Sequence, residues 1–173
     1  MRPLLATLSL AAFLGVGSLC PALTLEELRA KPNLTPQSFA KLFARFHYER
    51  HQELLPPEIF LATETGDCDD FATLAAQILG ERGYTTRLIS VRVPGDIHVV
   101  CYVEETRCYL DFNNRGYFFK TVSSEGSLEE IARKVAKSLD SNSWTTASEF
   151  TCEEGLKRLI RTVHSNPSLA ALR

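Results

Sequence analysis

Apolar residues recur at helical spacing in some stretches of this chain and alternate with polar ones in others. Phe71, Leu74, Ala75, Ile78 and Leu79 fall on one face of a helix, predicted over residues 67–81, with Gly80 and Gly83 marking its end. Phe39, Leu42, Phe43 and Phe46 form a second stripe, read as core, in a helix that starts at Thr35-Pro36. Thr24 caps a short helix that Pro32 interrupts, and Pro56-Pro57 breaks the chain before the central helix. Between residues 85 and 93 the pattern changes. Leu88, Ser90 and Arg92 alternate with Arg87, Ile89, Val91 and Val93, as in a strand. Pro94-Gly95-Asp96 is a turn, and residues 98–103 and 108–112 read as two more strands. Asn113-Asn114-Arg115-Gly116 turns into Tyr117-Phe118-Phe119. Ser127 and Glu130 match a capping box that opens a helix to about residue 139, and a last helix is predicted over residues 152–163. Helices, then antiparallel strands, then helices predict an α+β domain, with the central helix packed on the sheet.

The central helix begins with candidate chemistry, Gly66-Asp67-Cys68-Asp69-Asp70-Phe71-Ala72. A cysteine in a first helical turn meets free backbone N–H groups and the positive end of the macrodipole, which favour its thiolate. His98 opens a strand and Asp111 closes the next. Cys68, His98 and Asp111 thus offer a nucleophile, a base and an orienter on adjacent elements. Asn113 and Asp96 compete with Asp111 for the orienting place. His164, the one other histidine beyond Cys68, lies in a polar tail. The backbone N–H of Cys68 is a ready donor to a developing oxyanion, while no second donor can be named. Asp67, Asp69 and Asp70 cap the helix and compensate its dipole, or supply oxygen ligands to a hard cation. His47 and His51 are one turn apart but lack a third ligand, so they read as surface residues.

The Gly-x-Cys helix start and the order Cys68, His98, Asp111 resemble the transglutaminase-like, papain-related superfamily. The resemblance is greatest to its small bacterial members, many identified as cysteine peptidases, and spans roughly residues 60–112. It implies a papain/transglutaminase-like core with flanking helices and cysteine-dependent acyl hydrolysis of a protein or peptide. Some exported proteases of this group are calcium-dependent, with acidic residues flanking the cysteine, and Asp67 and Asp69 match those positions. Otherwise the resemblance implies no required cofactor. A true transglutaminase, in which an amine replaces water as acyl acceptor, and a non-catalytic binding module remain alternatives on the same fold.

Composition narrows the setting. The 173 residues suit one domain, and 45% apolar with 23% charged content is ordinary for a globular protein. A net charge of -2 gives no global case for nucleic acid or an anionic membrane, and a monomer is expected. Lys157, Arg158 and Arg161, the densest basic group, read as a solvated helix face. Residues 1–22 carry the marks of a signal peptide: Arg2, a short apolar core and small residues up to Ala22. The protein is therefore expected to be exported, periplasmic or extracellular, with residues 23–173 as one domain free of the membrane after cleavage. Such cleavage leaves Cys68, Cys101, Cys108 and Cys152. In the expected hairpin Val103 opposes Cys108 and Cys101 opposes Leu110. That sets Cys101 and Cys108 diagonally, a poor geometry for a bridge. Pairing of Cys152 with either, or three buried free thiols, both stay open.

Overall fold

The computed structural model describes residues 22–114, 121–153 and 156–165. The expected leader, Ala22 apart, and Tyr117-Phe118-Phe119 lie outside them. Local sequence signals set most helix starts. In α1 (Leu25–Ala30) and α2 (Pro36–Leu42), Thr24 and Thr35 each accept a backbone N–H from three residues on, and Glu27 and Ser38 return a bond to the cap. A two-residue strand, β1 (His47–Tyr48), follows. Pro56-Pro57 does not merely break the chain. Pro57 occupies the first turn of a helix, α3 (Pro57–Thr63), because its fixed φ and missing N–H suit that position. The short β2 (Thr65–Gly66) then leads into α4 (Cys68–Glu81), capped by Asp67.

Next come β3 (Thr86–Val93) and β4 (Asp96–Val103), joined across Gly95, whose φ of 80° favours glycine. β5 (Cys108–Leu110), a 3-10 turn (Phe112–Asn114) and β6 (Val122–Ser123) follow. The chain continues with α5 (Leu128–Ser138), capped by Ser127, then β7 (Thr146–Glu153) and β8 (Leu156–His164). Among the described residues six strands make one sheet in the order β6-β5-β4-β3-β7-β8, every neighbouring pair antiparallel. The α+β expectation holds, and the Cys101–Leu110 and Val103–Cys108 pairs have the expected register.

The C-terminal helix expected over residues 152–163 is instead the end of β7 and nearly all of β8. Leu156, Leu159, Ile160 and Val163 have helical spacing, but that spacing makes no buried helix face, and of the four only Val163 is partly covered. Leu156, Leu159 and Ile160 stay 75%, 63% and 56% exposed. The backbone ladder to β7 fixes this segment, and such pairing overrides a local pattern. Lys157, Arg158 and Arg161 therefore project from an edge strand rather than from a helix.

The sheet separates two cores. α4 packs on one face over Leu88, Val99, Cys101, Val103 and Leu110, together with Phe39, Phe43, Phe46, Phe60, Phe71 and Phe112. Within that aromatic group Phe43 stacks on Phe60 at 5.7 Å, and Phe71 lies 5.3 Å from Phe112. α5 covers the other face over Ile89, Val91, Val100, Tyr102 and Tyr109. The alternation along β3 thus divides its side chains between the two layers.

Gly66 lies at the tightest point before α4. A Cβ there would stand 2.5 Å from the Phe60 ring and 2.7 Å from Asp70 Oδ2. Phe60 is buried among aromatic rings and Asp70 is held by backbone donors, so neither can move cheaply. Gly66→Ala should therefore destabilise the fold by about 1–3 kcal/mol. A thermal melt checks this; an unchanged melting temperature would show that the contact relaxes freely.

Candidate active site

Two short strands aim the chain at Cys68. β1 and β2 pair in parallel, with Tyr48 opposite Gly66, and the Glu49 N–H donates to the Gly66 carbonyl at 2.9 Å. Asp67 then caps α4. Its Oδ1 accepts from the Asp69 N–H at 3.1 Å, and its Oδ2 from the His51 N–H at 3.1 Å. Asp70 reciprocates, accepting from the Asp67 N–H at 2.9 Å and the Leu55 N–H at 2.7 Å. This places Cys68 at the first helical position, 6% exposed. A backbone N–H there has no partner within the helix.

His98 and Asp111 are buried, 2% and 3% exposed. His98 Nε2 lies 2.9 Å from Asp111 Oδ1. Cys68 is the other group whose interaction favours the charged ring, and with Nε2 engaged by Asp111 the nitrogen not engaged there is Nδ1. Burial alone would push the imidazole down. Hydrogen bonds to Asp111 and Cys68, and their charges, outweigh burial and raise it to about 10. Asp111 is itself fixed by the Asn113 N–H at 2.8 Å and the Asn114 amide at 3.1 Å. Asn113 therefore contributes backbone to Asp111. The other candidate, Asp96, is turned to an ion pair with Arg50 at 2.9 Å. Of the residues singled out by sequence, the fold brings Cys68, His98 and Asp111 together and leaves Asp96 outside. His47 is exposed and His51 half-buried, with His51 Nε2 enclosed and unpaired.

Asp67, Asp69 and Asp70 present oxygens within 4.8 Å of one another, a grouping that could take a metal ion. Burial pushes the Asp67 carboxyl up to about 6, and its bond and charge contact with Asp69 act the same way. Burial also raises Asp70. Asp69 goes the other way: burial opposes ionisation, but bonds from Asp67 and Lys157 hold it low. Lys157 Nζ, from β8, lies 2.7 Å from Asp69 Oδ2. Both oxygens of Asp67 and of Asp70 already accept backbone N–H groups. The three carboxylates could take a cation, and Lys157 Nζ stands on Asp69 Oδ2, one of the oxygens such an ion would use.

Cys68 opens into a cleft of about 510 Å³. Tyr48, Arg50 and Gln52 line it from the segment after β1, with Ile97 and Val99 from β4 and Ser90 from β3. Ser148, Phe150, Lys157 and Leu159 come from β7 and β8. Sequence reasoning named none of these as functional. They are scattered along the chain and converge through the β1–β2, β3–β4, β3–β7 and β7–β8 pairings, which no local motif announces. Cys101, Cys108 and Cys152 are free, and the register keeps the first two from facing each other.

The raised His98 pKa has a stability consequence. The folded state holds the imidazolium up to about 10, whereas the unfolded chain releases its proton near 6.5. The stabilisation is complete below that lower value and is lost as pH rises through the upper one. Urea midpoints of the wild type and His98→Gln should therefore differ most near pH 6 and converge towards pH 10. A constant difference would mean that His98 carries no extra proton in the folded state.

No protein-family model matches this chain, and no curated protein does. Among solved structures, calcium-bound LapG of Legionella pneumophila is similar, at 18% sequence identity and a TM-score of 0.50, over 83% of this chain and 77% of that one. At that identity the likeness shows a shared α+β fold, with a helix packed on an antiparallel sheet.

Proposed function

We propose that this chain is an exported cysteine-dependent acyl hydrolase, a peptidase or amidase of transglutaminase-like fold. The observation that carries the proposal is the buried His98, hydrogen-bonded to Asp111 and within electrostatic reach of Cys68 at the start of α4. The Cys68 thiolate attacks the carbonyl carbon of an amide. The C=O electron pair moves to oxygen, and the Cys68 backbone N–H donates to the oxyanion. Collapse of the tetrahedral intermediate expels the amine, which takes its proton from His98. The acyl-enzyme remains. His98, now neutral, accepts a proton from water as the water attacks the thioester, and the second collapse returns Cys68 as thiolate. Asp111 holds the imidazole orientation throughout.

The cleft suits a polypeptide, since Tyr48, Ile97, Phe150 and Leu159 give apolar contact and Ser90 and Ser148 give hydrogen bonds. No calcium ion is required in this proposal. Export rests on the leader-like residues 1–22. Among the described residues no helix is long and apolar enough to cross a membrane.

Three measurements test this. Iodoacetamide at pH 6 should alkylate Cys68 faster than Cys101, Cys108 or Cys152, and His98→Ala should slow that reaction strongly. Equal rates at all four thiols would sink the proposal. Asp111→Asn should keep the fold but cut peptide hydrolysis by a factor on the order of 10²–10⁴. Wild-type turnover in that variant would remove Asp111 from the site, and incorporation of a labelled amine in place of hydrolysis would identify an acyl transferase. Intact mass of the mature protein should lack residues 1–22, whereas a mass that includes Met1 would argue for a retained anchor.

A further inference from the structure

We propose that Lys157 is the built-in counter-cation of the acidic group at the start of α4, standing where a divalent ion would otherwise be needed and positioning Cys68 through Asp69. Three carboxylates surround the first turn, within 4.8 Å of one another. Like charges so close repel, and they raise the cost of a thiolate beside them. Lys157 reaches this group from 88 positions away in the chain, placing Nζ 2.7 Å from Asp69 Oδ2. Its position is set from below as well. The β8 backbone pairs Lys157 with Cys152, and Nζ lies 5.7 Å from the centre of the Phe150 ring.

Neighbouring cations are committed elsewhere, Arg161 to Glu149 and Arg50 to Asp96. Among the described residues, Lys157 is the cation seen in contact with this cluster. Its ammonium supplies one charge and donates its hydrogen bond to the carboxylate next to Cys68. LapG, with a similar fold, is calcium-bound. Here a side-chain ammonium stands at the acidic cluster. This inference does not depend on the chain being a peptidase.

The test is a thermal melt of the full protein in EGTA, in millimolar calcium and in millimolar magnesium. The wild type should melt at the same temperature in all three. Lys157→Ala leaves the carboxylates without their cation, so in EGTA it should melt about 3 °C or more below the wild type. Calcium should recover that loss, and magnesium less of it, because magnesium demands tighter octahedral geometry. Lys157→Arg should behave as the wild type. A purely structural lysine would not confer a calcium response, so that response separates positioning from packing. Cys68 alkylation at pH 6 provides the second readout. It should slow about threefold or more in Lys157→Ala with EGTA and recover with calcium. Adding Asp69→Asn to Lys157→Ala should abolish both calcium effects. A wild-type melting temperature that falls in EGTA would overturn the proposal, because the native protein would then hold an ion beside Lys157. A Lys157→Ala variant indifferent to calcium in both readouts would overturn it too. Should Lys157→Ala fail to fold in EGTA, folding recovered by calcium supports the proposal and folding unrecovered overturns it.

Discussion

The reciprocal cap between Asp67 and Asp70 is the constraint on which the site depends. Each residue supplies a carboxylate to backbone N–H groups on both sides of the helix start. One oxygen of each is turned inward to close the first turn of α4. The other reaches back to His51 or Leu55 and fixes the segment that leads from β1 to α3. Helix start and cleft wall are therefore one hydrogen-bonded unit. Burial raises both acids, and the backbone donors oppose that shift by favouring the ionised form. The opposition explains why two carboxyls so deeply placed still work as caps.

The site adds a second arrangement of charge to this frame. His98 is buried beside the Asp111 carboxylate and Cys68, and both favour its charged form. Acidic residues on the helix side of Cys68 work against a thiolate, whereas the imidazolium and the helix N-terminus work for it. Lys157 joins the favourable side. Its contact with Asp69 also ties β8 to α4, elements that share no sequence neighbourhood.

How much of this was legible beforehand follows from the range of each signal. Caps at Thr24, Thr35, Asp67 and Ser127 act within one turn, and the sequence shows them plainly. Cys68 was readable because it opens a strongly periodic helix, and His98 and Asp111 because of the strand-like runs beside them, although β4 begins two residues before His98 and β5 ends one before Asp111. The alternation of β3 was readable because Ile89, Val91 and Val93 face the α5 core while Ser90 and Arg92 lie on the other face. The C-terminal hairpin was not readable. Leu156, Leu159 and Ile160 mimic a helix face, and what makes them a strand is backbone pairing with β7. The same gap hid Lys157. On a presumed helix it looked like one of three solvated charges, and only the β7–β8 ladder brings it to Asp69. α3 was missed for a different reason, since Pro56-Pro57 signals both a stop and a start.

The division of β3 between two layers separates support from work. Ile89 and Val91 pack with Val100, Ile131 and Val135 under α5, and none of these residues lines the cleft at Cys68. From that side Tyr109 is the member in electrostatic reach of Asp111, whose charge helps to raise its phenol after burial does. The α5 layer is therefore a place where the molecule can vary in sequence, or be engineered for heat tolerance, with little consequence for the chemistry across the sheet. The α4 layer has no such freedom, since the same aromatic rings that fill it also set the floor beneath the cysteine.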